Sequence, residues 1–134
     1  MTQQRHDDDF SSTPAIAILM MPRDTNPAGT IFGGVILSHI DQAGAEAALL
    51  HGAKNVVTVA MKEVVFLKPV YVGDRVSFFV KVIRKGRTSI TVKVKVEAAR
   101  RYSRRKIALV TEAEITYVNV NSDREPIPFD QNDR

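Results

Sequence analysis

The chain has 134 residues, 44% hydrophobic and 25% charged, with a formal net charge of +4 and no cysteine. That is enough chain for one buried core and not for two. Disulfides, a cysteine nucleophile and thiolate metal sites are excluded, and His6, His39 and His51 are too scattered to form a metal-ligand spacing. No apolar run reaches the roughly 20 residues that span a bilayer, so stable membrane insertion is not expected.

Met1 to Pro14 is polar and carries Asp7, Asp8 and Asp9, unlike the charged-then-apolar layout of a signal peptide. It reads as a flexible N-terminal tail of a cytoplasmic protein, before a single domain over residues 15–120. Ala15 to Met20 reads as a short strand. Pro22 to Thr30, with Pro22, Asn26, Pro27 and Gly29, is a loop. Gly33 and Gly34 then open a helix that lasts to about Leu50. Ile36, Leu37, Ile40, Ala43, Gly44, Ala47 and Ala48 recur at helical steps, and Gly52 suits the left-handed position after the helix end. The small residues at its middle would let another backbone approach.

Val56 to Phe66 reads as a strand closed by Pro69. Val76, Phe78, Val80 and Val82 alternate with Ser77, Phe79, Lys81 and Ile83; after an Arg84–Arg87 turn, Ile90, Val92, Val94 and Val96 alternate with Thr91, Lys93, Lys95 and Glu97. Ile107 to Val120 supplies the last strand. Residues 121–134, with Pro126 and Pro128, read as a frayed C-terminal tail. Short connections favour antiparallel neighbours. The fold class is therefore α+β, an antiparallel β-sheet wrapped around one long central helix. One sheet and one helix leave an edge and a face to cover, which favours pairing with a second copy.

Asn26 precedes the Gly33–Gly34 pair at the helix start. Amides there can approach a ligand and carry positive partial charge, which suits a carbonyl oxygen becoming an oxyanion. The same pair could be only a tight helix entry. Asp41 lies mid-helix among Ile36, Leu37, Ile40, Ala43 and Gly44. Asp is a poor residue there, so it is either used or simply exposed on the wet side. Gly33 and Asp41 are about 12 Å apart along one helix, whereas a base must reach its proton within about 3 Å or through one water. Two antiparallel helices could bring the glycines of one copy to Asp41 of the other. Thr58 could line a pocket or be only a β-favouring residue. Glu46 faces elsewhere on the helix, and Glu63 is as easily a surface residue. Gly86, Arg87, Thr88 and Ser89 could bind phosphate beside a tight turn, or merely decorate a hairpin.

Four stretches resemble one family: MPRDTNPAGTIFGG from Met21, LSHIDQAGAEAA from Leu37, VVTVAMKEVVFLKPVYVGD from Val56 and GRTSITVKVKVE from Gly86. Their order and spacing resemble the hotdog-fold acyl-CoA thioesterases, in particular the small YciA-like acyl-CoA thioester hydrolases, from about Ala15 to Val120. The resemblance implies hydrolysis of acyl-coenzyme A to a free acid and coenzyme A, with no metal and no cofactor beyond the coenzyme A of the substrate. It implies a catalytic dimer, usually three dimers to a hexamer. By motif position Asp41 matches the catalytic carboxylate, as general base or nucleophile. Asn26 matches the loop residue that places water or carbonyl, Gly33 and Gly34 the oxyanion contact, and Gly86 to Ser89 a segment near coenzyme A. In the family the Asn and the Asp come from different subunits.

The main alternative is a non-catalytic acyl-CoA-binding regulatory module on the same fold. A hotdog dehydratase would pair a histidine with a carboxylate, but His39 lies two positions from Asp41 and faces away on a helix. The basic stretch Arg100, Arg101, Arg104, Arg105 and Lys106 raises nucleic-acid binding, or the coenzyme's phosphates, or only a solvated loop. With Tyr102 as its sole aromatic, it lacks the stacking residues of a nucleic-acid surface, and no nucleic-acid partner is expected.

Overall fold

The computed structural model describes residues 10–101, 103 and 106–129. Five strands and one long helix follow one another: β1 (Ile16–Leu19), a single 3-10 turn (Pro22–Asp24), α1 (Gly33–Leu50), β2 (Val56–Met61), β3 (Arg75–Lys85), β4 (Ser89–Ala99) and β5 (Ile107–Asn119). The sheet order is β1-β3-β4-β5-β2, antiparallel throughout.

Periodicity explains which faces meet. On β4, Ile90, Val92, Val94, Val96 and Ala98 are fully buried while Lys93, Lys95 and Glu97 stay half-buried on the other face. Val76 and Phe78 from β3 and Val110, Ala113, Ile115 and Tyr117 from β5 join them. Helix α1 turns Ile36, Ile40, Ala43, Gly44 and Ala48 inward, a stripe at steps of three and four. Each fully buried isoleucine, valine or phenylalanine here contributes about 1.5–3 kcal/mol by leaving water. Gly52 has φ 102°, the left-handed conformation expected after the helix end. Among the described residues no helix is long and apolar enough to cross a membrane.

Three sequence expectations change. β2 stops at Met61, not Phe66. A bulge at Val59 breaks its register with β5, and beyond Met61 isolated bonds follow β5: Lys62 N–H to the Glu114 carbonyl (2.9 Å), Thr111 Oγ1 to the Val65 carbonyl (2.7 Å) and Leu67 N–H to the Val110 carbonyl (2.8 Å). The apolar run beyond Met61 stays open, with Val65 55%, Phe66 42% and Leu67 57% exposed.

The C-terminal stretch is not frayed as far as it is described. Phe129 is buried, Lys85 Nζ lies 4.7 Å over its ring, and Val120 forms a bridge to Pro126. Residues 10–14 likewise dock: Ser11 N–H donates to the Val80 carbonyl (3.3 Å), and Phe10 is buried with Lys81 Nζ 4.6 Å from its ring. Residues 1–9 and 130–134 lie outside the described residues.

The basic stretch begins with a structural residue. Arg100 pairs with the buried carboxylate of Asp74 and donates to the Pro69 carbonyl at 3.1 Å. Asp74 also accepts the Tyr71 N–H at 2.9 Å, closing the turn before β3. Tyr102, Arg104 and Arg105 lie outside the described residues. Asp74→Ala leaves the Arg100 guanidinium and the Tyr71 amide without this acceptor. The expected cost is about 3 kcal/mol, read as a lower urea midpoint at unchanged m-value.

Candidate active site

Two of the candidate side chains meet. Thr58 Oγ1 donates to Asp41 Oδ1 at 2.9 Å. The contact follows from register: Thr58 on β2 sits opposite Tyr117 on β5, so both side chains stand on the face that α1 covers. The β2 bulge comes directly after Thr58 and bends the strand there. Asp41 is half-buried at the middle of α1, between helix and sheet.

Tyr117 is the residue that sequence reasoning missed. Its phenol lies 3.0 Å from Asp41 Oδ1 and 2.7 Å from the Asp41 carbonyl oxygen, and it is fully buried. Burial pushes the Tyr117 phenol up from its ordinary value, and the charge of Asp41 and the hydrogen bond to it push the same way, against a smaller opposing effect of the Ala45 amide. The phenol therefore stays protonated and acts as a donor. Gly44 makes the room: a Cβ there would lie 2.4 Å from the phenol oxygen. So the small residue at mid-helix accommodates a tyrosine of the same chain.

Asn26, Gly33 and Gly34 gather at the helix start. Asn26 Oδ1 accepts the Ala28 N–H (2.9 Å) and the Thr30 N–H (3.3 Å), and its Nδ2 donates to Thr30 Oγ1 (3.1 Å). Phe32 N–H donates to the Asp24 carbonyl at 2.8 Å, which ties this loop to the first turn of α1. No side chain caps that turn, and it contains no acidic residue, so its amides keep their positive field. Beside it opens a cleft of about 200 Å³, lined by Thr30, Ile31, Gly33, Ile36, Phe66, Lys68, Pro69 and Val70. Within one chain this end lies about 12 Å along the helix from Asp41.

Gly86 to Ser89 forms the β3–β4 hairpin, closed by Gly86 N–H to the Ser89 carbonyl at 2.8 Å. It sits at the opposite end of α1, where Lys85 Nζ donates to the His51 carbonyl at 2.7 Å. That is ten residues beyond Asp41, about 15 Å. One chain thus holds three separate groups: the Asp41–Thr58–Tyr117 cluster, the Asn26–Gly34 loop and the Gly86–Ser89 hairpin. His39 joins none of them. Its Nδ1 lies 2.8 Å from the Val35 carbonyl, and its ring stacks on Phe78 with centroids 5.6 Å apart. Glu46 and Glu63 are exposed.

The model of the thioesterase superfamily matches residues 28–103. The acyl-CoA thioester hydrolase YciA of Salmonella typhimurium is 40% identical over 117 residues, which cover 83% of this chain and 85% of that protein. A hexameric hotdog fold thioesterase of Campylobacter jejuni superposes with a TM-score of 0.84 at 46% identity, covering 90% of this chain and 92% of that one. A hexameric broad specificity acyl-coenzyme A thioesterase, in an aspartate-to-alanine mutant form, superposes with a TM-score of 0.86 at 34% identity, covering 92% of this chain and 91% of that one. The helix wrapped by a five-stranded antiparallel sheet is therefore the hotdog fold. The chain belongs to the thioesterase superfamily, among its YciA-like acyl-CoA thioester hydrolases.

Proposed function

We propose that the protein hydrolyses the thioester of acyl-coenzyme A, in a site shared by two subunits, with Asp41 as general base or nucleophile. The observation that carries this is the Asp41 carboxylate, fastened on Oδ1 by Thr58 and Tyr117 between helix and sheet. As base, Asp41 takes a proton from water while the water oxygen bonds to the thioester carbon. The carbonyl oxygen then gains charge, the C–S bond breaks, and the sulfur leaves as thiolate and is reprotonated. As nucleophile, the carboxylate bonds to that carbon itself, the C–S bond breaks to release the coenzyme A thiolate, and water cleaves the resulting mixed anhydride to the free acid and the Asp41 carboxylate.

The developing oxyanion needs amides that Asp41's own chain holds about 12 Å away. Gly33 and Gly34 of the partner subunit would supply them, with Asn26 of the partner subunit placing water or carbonyl. Support for a second copy comes from the open run Val65, Phe66 and Leu67 beside the edge strand β2, and from the hexameric relatives. A trimer of dimers is the assembly proposed. Gly86, Arg87, Thr88 and Ser89 would face coenzyme A, with the exposed Arg87 suited to phosphate. No metal enters this scheme.

The test is release of free thiol from a panel of acyl-coenzyme A chain lengths. Turnover is expected on the panel and should survive dialysis against a chelator. Saturable binding across the panel without turnover would replace the enzyme with the non-catalytic binding module.

A further inference from the structure

We infer that Tyr117 is the positioning residue for Asp41, and that it leaves Oδ2 as the oxygen that meets water or substrate. The inference rests on the reading of Asp41 as the reacting carboxylate and goes beyond it, because it says which oxygen works and what holds it.

The two carboxylate oxygens are not equivalent. Oδ1 has two donors, Thr58 at 2.9 Å and Tyr117 at 3.0 Å. Oδ2 accepts no hydrogen bond from the described residues, and it is not among the solvent-excluded polar atoms that lack a partner. A carboxylate saturated on one oxygen and open on the other is oriented for work through the open one.

Thr58 alone would hold the carboxylate loosely. It lies on the exposed edge strand, and its hydroxyl turns freely. Tyr117 differs in three ways. Its ring is fully buried on β5, between β4 and β2, so its oxygen has little freedom. Its one phenolic hydrogen is shared between Asp41 Oδ1 and the Asp41 carbonyl at 2.7 Å, so it ties the side chain to the main chain of the same residue. And α1 gives up a side chain at Gly44, three positions on, to admit it. Phenylalanine would fill the same core volume. Both hydrogen bonds that the phenol donates end on Asp41.

The test is a double-mutant cycle with Tyr117→Phe and Asp41→Asn, assayed by single-turnover thiol release at high enzyme concentration. Tyr117→Phe keeps the ring and removes the donor. The expected result is a fall in kcat of about tenfold or more, since the lost bond is to a charged group, with KM within about twofold. In the Asp41→Asn background the same change should cost less than about twofold, because a residue acting through Asp41 has nothing left to orient. A Tyr117→Phe enzyme with wild-type kcat overturns the inference. So does an equal loss in both backgrounds, which marks a structural role alone. If Asp41→Asn itself keeps full activity, the failure lies with the proposed carboxylate chemistry and not with Tyr117. Should Tyr117→Phe not fold, Gly44→Ala displaces the phenol from the other side and is expected to show the same kcat loss and the same dependence on Asp41.

Discussion

Asp41→Asn is expected to lower kcat by on the order of 10²-fold or more, with KM little changed. The substitution is close to isosteric. The amide oxygen can still accept from Thr58 and Tyr117, so the cluster at 2.9 and 3.0 Å can survive. What disappears is a group able to take a proton from water or to attack carbon. The change therefore separates chemistry from folding better than Asp41→Ala, which would take the Oδ1 acceptor from Thr58 and leave the buried Tyr117 phenol only the main-chain carbonyl of residue 41. Thiol release and a urea melt on the same preparation give the two readouts. Full activity at wild-type stability would remove Asp41 from the reaction.

The second large effect is a recovery. Asn26→Ala and Asp41→Asn should each be nearly inactive, yet co-assembled they should regain activity. In a two-fold pair each site would take Asp41 from one subunit and Asn26 from the other. A mixed pair then has one site lacking both groups and one site intact. Random mixing makes half the pairs mixed, so about a quarter of wild-type activity is expected from an isologous interface. Differently tagged subunits, refolded together and recovered through both tags, remove assemblies built from one variant alone. Because the Asn26 side chain also braces its own loop through Ala28 and Thr30, the Asn26→Ala protein must first be shown to fold. No recovery from folded subunits would mean that each chain carries its own complete site.

Much of the fold was legible because its periodicity is clean. The alternation from Ile90 to Val96 marked β4 and its inner face, and the stripe from Ile36 to Ala48 marked α1 with its end before Gly52. The errors fell where apolar content and burial part company. Val64 to Leu67 is hydrophobic without alternation, and that pattern cannot separate a core strand from an exposed apolar edge. Pro126 and Pro128 suggested loose chain, but Phe129 N–H reaches the Arg87 carbonyl at 3.1 Å and Asn119 Nδ2 the Pro128 carbonyl at 3.2 Å. No local pattern announces such long-range ties.

For the site, Asp41 stood out through its unsuitable neighbours, and Thr58 was one candidate among several. Their contact spans 17 positions and Tyr117 lies 76 positions from Asp41, so both depend on how β2 and β5 align. The inward phase of Ile115 and Tyr117 was available as a signal. Which residue of β2 would oppose Tyr117 was not, because the bulge at Val59 resets the count.

One strand carries an unusual concentration of duties. β5 presents Tyr117 to Asp41, gives Asn119 Oδ1 to the Lys54 amide at 2.8 Å, and offers Glu114 to Lys62 at 3.1 Å. Side chains alternate faces along a strand, so sliding β5 by a single residue would swing Tyr117 outward and set Val118 against the helix. The same slip would turn Glu112, Glu114 and Thr116 inward and Ile115 outward, so the core would be lost together with the carboxylate's anchor. Reactivity and solubility thus hang on one alignment: a chain that misplaced the phenol would also bury bare carboxylates, and would be rejected at folding before it could persist as an inert double.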